Sequence, residues 1–231
     1  MRLARGYRGL LPLLPLILLS CAAQRTPTTL RGTDEQKLAD VDAELAALRP
    51  VLRGYPPRVS SKEQRQQVTA QWKETEAALN ELAGADPQDP KIQWRLGELY
   101  RFGHNLDIPQ AGAACIRHLE RAIALRPDYV DAYLELGIFY TDAGPQWAQL
   151  GEANLKKAIK LSAPTPLPRG WRALAFAYYY QGRFSDSAAA ADKYLSLVPD
   201  DSDLQQMKLL AQQAASRGSR GLAPAGRLVI P

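Results

Sequence analysis

Apolar residues recur along most of this chain at spacings of three and four with polar residues between them, the pattern of a string of amphipathic helices. Leu38, Val41, Leu45 and Leu48 mark the first helix, which is expected to end before Pro50. Arg53-Gly54-Tyr55-Pro56-Pro57 then breaks the pattern. Ser60 or Ser61 is placed to cap a long second helix carrying Val68, Trp72, Leu79 and Leu82, with its stop at Gly84 before Asp86-Pro87.

Beyond that point the chain repeats itself. Trp94-Arg95-Leu96-Gly97-Glu98-Leu99-Tyr100 is echoed by Tyr133-Leu134-Glu135-Leu136-Gly137-Ile138-Phe139-Tyr140 and again by Trp171-Arg172-Ala173-Leu174-Ala175-Phe176-Ala177-Tyr178. A second helical stretch and a proline follow each copy, and the prolines at 127, 164 and 199 are spaced 37 and 35 apart. Helical periodicity with such a period means stacked helical hairpins, none of which can bury both its faces alone. Residues 201–216, with Leu204, Met207, Leu209, Leu210 and Ala214, supply a capping helix that begins at Asp200 or Asp201. Gly97 and Gly137 are expected where helices approach closely, since helical propensity alone would prefer alanine there by roughly 1 kcal/mol.

These copies resemble the tetratricopeptide repeat, a unit of about 34 residues running W-x2-L-G-x2-Y, then A-x3-F, then P. Counted from Pro168, the third copy places Trp171, Leu174, Ala175, Tyr178 and Pro199 on that signature without a gap. The second, from Val130, has Leu136, Gly137 and Tyr140 and then about two extra residues before Leu155 and Ala158. The first, from Pro90, has Leu96, Gly97 and Tyr100, with its aromatic displaced to Trp94. About six residues are inserted around His104-Asn105-Leu106-Asp107-Ile108-Pro109, before Cys115, Leu119 and Ala122 resume the pattern. The resemblance implies an all-α, right-handed solenoid of stacked hairpins. Three clear units span 90–199, degenerate helices 34–87, a capping helix 200–217 and a disordered tail 218–231.

In that family the first helix of every hairpin lines a concave groove. Carried over position by position, the resemblance implies a partner surface of Trp94, Glu98, Arg101 and Phe102 from the first unit. Asp131, Leu134, Ile138, Thr141 and Asp142 follow from the second, and Arg169, Arg172, Phe176, Tyr179 and Tyr180 from the third. Aromatics and arginines dominate, the types enriched at binding hot spots, and they suit a peptide or helix with apolar anchors and some acidic character. The insertion in the first unit is a second candidate surface, because inserted loops in repeat proteins gather on one edge.

The N-terminus adds a location. Arg2, Arg5 and Arg8 precede the apolar run Leu10–Leu19, which is short and broken by Pro12 and Pro15; this is a secretory signal rather than a membrane span. Leu18-Leu19-Ser20-Cys21 resembles the lipobox of bacterial lipoproteins, which implies cleavage after residue 20 and acylation of Cys21. Several acyl chains would hold the protein on a membrane without a transmembrane helix. Ala22, in place of the aspartate that marks inner-membrane retention, implies the outer membrane and its periplasmic face. Residues 21–33 read as a flexible tether. The three signal arginines account for much of the basicity: without residues 1–20, which hold no acid, 211 residues remain and the formal charge falls from +5 to +2. The rest of the basic residues are dispersed among acids, so nucleic acid is not an expected partner.

Candidate chemistry is sparse. Cys115 and His118 stand three apart on a helix and could offer two metal ligands. Cys115 instead falls where the repeat wants a small buried residue, and His118 is expected to be solvated, so no metal and no other cofactor is expected. No phosphate-binding glycine loop, nucleophile elbow or paired-carboxylate motif is present. The expectation is a non-enzyme with no small-molecule substrate: a lipid-anchored adaptor whose partner is another protein of the cell envelope and which supports an outer-membrane machine. Alternatives by fold-level analogy are an accessory regulator of a cell-wall enzyme, a pilotin-like factor for a secretin, or a motility-complex component.

Overall fold

The computed structural model describes residues 34–218, and within them the chain is all α-helix and turn. The helices are α1 (Asp34–Leu52), α2 (Lys62–Ala85), α3 (Pro90–Asn105), α4 (Ala111–Leu125), α5 (Val130–Asp142), α6 (Ala148–Ser162), α7 (Pro168–Tyr180), α8 (Phe184–Leu195) and α9 (Ser202–Gly218). A short 3-10 turn, Pro145–Trp147, precedes α6. The expected signal peptide, Cys21 and tether, and residues 219–231 of the expected tail, lie outside the described residues, while Gly218 ends α9. Among the described residues no helix is long and apolar enough to cross a membrane.

Successive helices pack as hairpins: α1 on α2, α3 on α4, α5 on α6 and α7 on α8, with α9 against α8. The first helices also touch one another across hairpins, α1 to α3, α3 to α5 and α5 to α7, so they form one continuous layer. The second helices reach forward to the next unit, α2 to α3, α4 to α5 and α6 to α7. The result is a solenoid in which each element meets only near neighbours in sequence.

The hairpins close where two glycines remove the side chain. A Cβ on Gly97 would stand 2.4 Å from Leu119 Cγ, and one on Gly137 would stand 2.6 Å from Leu155 Cγ, so a leucine of the second helix packs directly on the backbone of the first. Ala175 takes the equivalent place in the third hairpin and is fully buried. Trp72 joins α2 to α3 by donating from Nε1 to Leu99 O at 2.6 Å while its ring lies against Gly103. Cys115 is buried, as the repeat requires. On α9, Leu204, Met207 and Ala211 are buried against the last hairpin, and Asp201 caps the helix by accepting from Leu204 N. Leu209, expected on the packing face, is 53% exposed and looks outward.

Two expectations are corrected by tertiary packing. Helix α1 does not stop before Pro50 but runs through it to Leu52. The proline deprives only the last turn of a hydrogen bond, and Leu48 and Leu52, both fully buried, hold that turn in place. The residues read as a loop after Phe102 instead extend α3 to Asn105, so His104 is helical. Asn105 Nδ2 donates to Leu52 O at 2.8 Å and Gly54 O at 3.1 Å, tying the lengthened end of α3 to the end of α1. The turn that follows places Asp107 and Gln110 at φ 60 and 65. In the second unit the surplus residues become Gly144, at φ 120, and the 3-10 turn behind it.

The glycine contacts make a direct test. Gly97→Ala and Gly137→Ala are each expected to destabilise the fold by about 1–3 kcal/mol, because the new methyl must displace a buried leucine. Gly84→Ala, with nothing within 4 Å of a Cβ, should be neutral or slightly stabilising. Chemical denaturation of the three variants checks the order.

Candidate functional site

The layer of first helices is laced by arginine–carboxylate pairs. Arg49 on α1 grips Glu98 on α3 with both arms, Nε to Oε1 at 2.8 Å and Nη2 to Oε2 at 2.9 Å. Arg101 on α3 donates from Nε to Glu135 on α5 at 2.9 Å, and Arg169 on α7 reaches the other oxygen of Glu135 at 2.6 Å. Arg172 on α7 lies 3.4 Å from Asp201 at the head of α9, whose carboxylate also accepts from the Tyr194 hydroxyl at 2.8 Å. A second pair, Arg95 to Asp42, joins α3 to α1 at 2.6 and 2.7 Å.

The middle of this chain is desolvated. Glu98, Arg101 and Glu135 are each 1% exposed. Burial works to raise the Glu135 carboxyl, but Arg101 and Arg169 overcome it and hold it at about 2. Arg101 also donates from Nη1 to Arg53 O at 2.7 Å and lies 5.0 Å from the Phe102 ring. Its Nη2 is buried without an acceptor among the described residues.

This ladder rearranges the partner surface drawn from the repeat. Glu98, Arg101, Phe102, Leu134 and Thr141 are buried, so none offers accessible area in this structure. The physical reason is that Glu98, Arg101, Phe102 and Leu134 meet the neighbouring hairpin, the charged ones paired across it, while Thr141 donates to Gly137 O and lies against Gly151 of its own hairpin. Trp94 is half-buried against Tyr129, its Nε1 enclosed without an acceptor among the described residues. Ile138, Arg172, Phe176, Tyr179 and Tyr180 remain partly exposed. The Arg172 guanidinium lies 5.3 Å from the Phe176 ring, and Tyr179 sits between Tyr180 and Phe184.

Arg49, Arg53 and Arg58 belong with these residues, although they lie outside the three units. The Arg53 guanidinium is pushed below its usual range by burial and by the positive charges of Arg169, Arg172, Arg101 and Arg58. Arg53 and Arg58 come from the break after α1, whose sequence says only that the helix ends. Of the facing carboxylates, Glu135 and Asp201 are already engaged and Asp131 lies in the field of Arg169 and Arg49; arginines outnumber carboxylates, so this part of the first-helix layer is electropositive.

His118 is not solvated. It is half-buried, stacked on Tyr100 with ring centroids 5.3 Å apart and 6° between planes, and its Nδ1 lies 2.9 Å from Gln93 Oε1. Burial, with Arg117 nearby, pushes its pKa down. Burial likewise pushes up the Cys115 thiol, which suits a packing residue rather than a nucleophile. Among the described residues no group of three or more His, Cys, Asp or Glu side chains is placed to hold a metal.

A cleft of about 400 Å³ opens where the irregular connections meet. Tyr55 comes from the α1–α2 break, His104 and Asp107 from the first-unit insertion, Phe139 and Asp142 from the end of α5, and Trp147 from the 3-10 turn. The insertion already marks a candidate surface in sequence; that it shares a cleft with the second unit's surplus residues is visible only in three dimensions.

The architecture matches solved tetratricopeptide-repeat structures. Over 78% of its length the chain superposes on the whole of a thermophilic tetratricopeptide-repeat protein from Thermus thermophilus, with TM-score 0.52 and 20% identity. A variant of MamA matches 82% of the chain and 93% of its own, with TM-score 0.54 and 17% identity. A tetratricopeptide-repeat protein from Parabacteroides merdae matches 81% of the chain and 72% of its own, with TM-score 0.51 and 13% identity. Neither a protein-family model nor a curated protein matches the sequence. Likeness at these identities shows the fold.

The buried pair sets a pH dependence. Because Glu135 is held below its ordinary 4.5, its contribution to stability is complete above about 4.5 and is lost as pH falls toward about 2. Glu135→Gln should cost about 3–5 kcal/mol at neutral pH, since it leaves Arg101 buried beside an uncharged amide. That deficit should narrow as pH falls through this window, when the natural carboxylate is itself protonated. Denaturant unfolding at neutral and at acid pH measures it.

Proposed function

We propose that this tetratricopeptide-type solenoid is a non-catalytic, lipid-anchored scaffold of the cell envelope, which binds an acidic segment of a protein partner on its first-helix layer. The observation that carries the binding half is the electropositive stretch of Arg53, Arg58, Arg169 and Arg172 beside the apolar side chains of Ile138 and Phe176. Arg49, Arg169 and Arg172 each use part of a guanidinium to hold a carboxylate of the scaffold and keep the remainder partly exposed. Rigid, preoriented arginines beside apolar anchors are the composition of a binding hot spot, and ordering them costs a partner little. The anchoring half rests on Leu18-Leu19-Ser20-Cys21 behind a basic and apolar leader. By that reading Cys21 carries the lipid and the folded body works at the periplasmic face of the outer membrane.

In-cell photocrosslinking from Ile138 and Phe176 tests the proposal, with Cys21→Ala beside it. One dominant envelope protein should be captured from both positions. Its yield should drop several-fold when Arg172 is replaced by Glu, and the anchor variant should leave the membrane fraction. Clean traces from both positions, or capture indifferent to the charge at residue 172, would overturn the groove as the binding surface. An unchanged membrane fraction for Cys21→Ala would overturn the anchor.

A further inference from the structure

The first-helix layer carries two kinds of arginine. Arg49, Arg101, Arg169 and Arg172 each hold a carboxylate of the scaffold. Arg53 and Arg58 do not: both residues are exposed, and neither guanidinium pairs with a carboxylate among the described residues. They come from the break between α1 and α2, outside the three repeat units, so no repeat position accounts for them.

The backbone beneath them is fixed. Arg53 N donates to Arg49 O at 3.1 Å and Arg58 N to Val51 O at 2.8 Å, which folds the break back onto the last turn of α1. Three successive carbonyls are then held from α3. Leu52 O and Gly54 O accept from Asn105 Nδ2 at 2.8 and 3.1 Å, and Arg53 O accepts from Arg101 Nη1 at 2.7 Å. Asn105 and Arg101 are themselves buried, so the clamp that positions Arg53 lies inside the protein.

The side chain on this base is set among charges of its own sign. Partial burial, and then the positive charges of Arg169, Arg172, Arg101 and Arg58, disfavour its protonated form. Its own charge acts on the Tyr194 hydroxyl of α8 along with that of Arg172. The break after α1 therefore faces the third hairpin across the first-helix layer. Like charges gathered without a counter-charge lower stability, and a position that breaks a folding rule in this way is expected to be functional. The planar fork of an arginine is matched by a carboxylate, which accepts two parallel hydrogen bonds from it. A fork on a fixed base, with no scaffold partner, is ordered and open to such an acceptor.

We infer, building on the proposed function, that Arg53 is the receptor for one aspartate or glutamate side chain of the partner's acidic segment, gripped by its guanidinium fork. The scaffold-held Arg169 and Arg172, with Arg58, supply the field, and Arg53 makes the contact. Apolar residues of the same segment lie beside Ile138 and Phe176. Arg53 thus sets the specificity of the surface at a cost to the stability of the fold.

The test is NMR of the full chain labelled with 15N-arginine, in which the Arg53 Nε resonance is the one lost in Arg53→Gln. The probe is acetyl-Leu-Glu-Glu-Leu-Phe-amide, with acetyl-Leu-Gln-Gln-Leu-Phe-amide as its neutral match. The acidic peptide should shift the Arg53 signal saturably, and the glutamine peptide should bind about tenfold more weakly, the scale of a charge-assisted hydrogen bond. Arg53→Gln should cost the acidic peptide about tenfold, and Arg53→Lys, which keeps the charge and loses the fork, about threefold. Arg53→Gln should also leave the melting temperature unchanged or raise it, because it removes a repelled charge. A fall of several degrees would give the side chain to the scaffold and overturn the inference. Full affinity in Arg53→Lys would reduce Arg53 to a source of field and overturn it too. So would equal response to the two peptides, no shift at millimolar peptide, or inorganic phosphate that moves the Arg53 signal at lower concentration than the peptide does. Binding that Arg172→Glu weakens and Arg53→Gln leaves unchanged would remove Arg53 as the receptor while the proposed function stands. In-cell capture indifferent to residue 172 would remove that function, whatever the Arg53 signal does.

Discussion

Each first helix of the solenoid is joined to the next by an arginine–carboxylate pair, and the centre of that chain, Arg101 with Glu135, has left water altogether. Two charges at 1% exposure are tolerated only because each is held by several partners: Glu135 by two guanidiniums, Arg101 by a carboxylate and the carbonyl of Arg53. Such a pair adds little net stability over an apolar one, but it penalises every arrangement in which the charges fail to meet. It therefore selects one stacking of α3, α5 and α7 among the several that leucine and alanine contacts would allow. The spacing follows the repeat, since Arg101, Glu135 and Arg169 stand 34 residues apart in sequence and side by side in space.

The same chain shapes the surface offered to a partner. Its inner members are consumed by the fold, while Arg49, Arg169 and Arg172, at 36–41% side-chain exposure, hold a scaffold carboxylate with one edge and face outward with another. Stability and recognition thus share residues, and the binding groups are ordered before a partner arrives. At the connections the repeat is irregular, aromatic side chains line the cleft, and the surface is built from turns set on rigid helix ends.

The repeats are legible in sequence because their signals are local. Leu96-Gly97, Leu136-Gly137 and Leu174-Ala175 mark hairpin crossings through size alone, and Ser61 and Asp201 act as caps through their own side chains. Burial of charge is not legible: nothing in the spacing of Glu98, Arg101 or Glu135 distinguishes an exposed polar position from a paired one until the opposing helix is in place. Pro50 and His104 show the same limit at helix ends, where Leu52 and Asn105 gain tertiary partners that outweigh a local stop signal. The shelter of His118 is hidden because its stacking partner, Tyr100, lies on the other helix of the hairpin. The insertions can be recognised as a surface, but their aromatic wall needs Trp147 and Phe139 from the next unit.

The most direct measurement is a double-mutant cycle on stability between Arg101 and Glu135, with Arg101→Met, Glu135→Leu and the two combined. Glu135→Leu strands the buried Arg101 and should cost about 3–5 kcal/mol; Arg101→Met leaves Glu135 with Arg169 alone and should cost less, whereas the double variant exchanges a buried pair for an apolar one and should recover most of the Glu135→Leu loss. Strong recovery would establish the pair as the device that selects this stacking. Losses that simply add would contradict the account, because they would mean that the two side chains act independently and that packing alone sets the geometry of the solenoid.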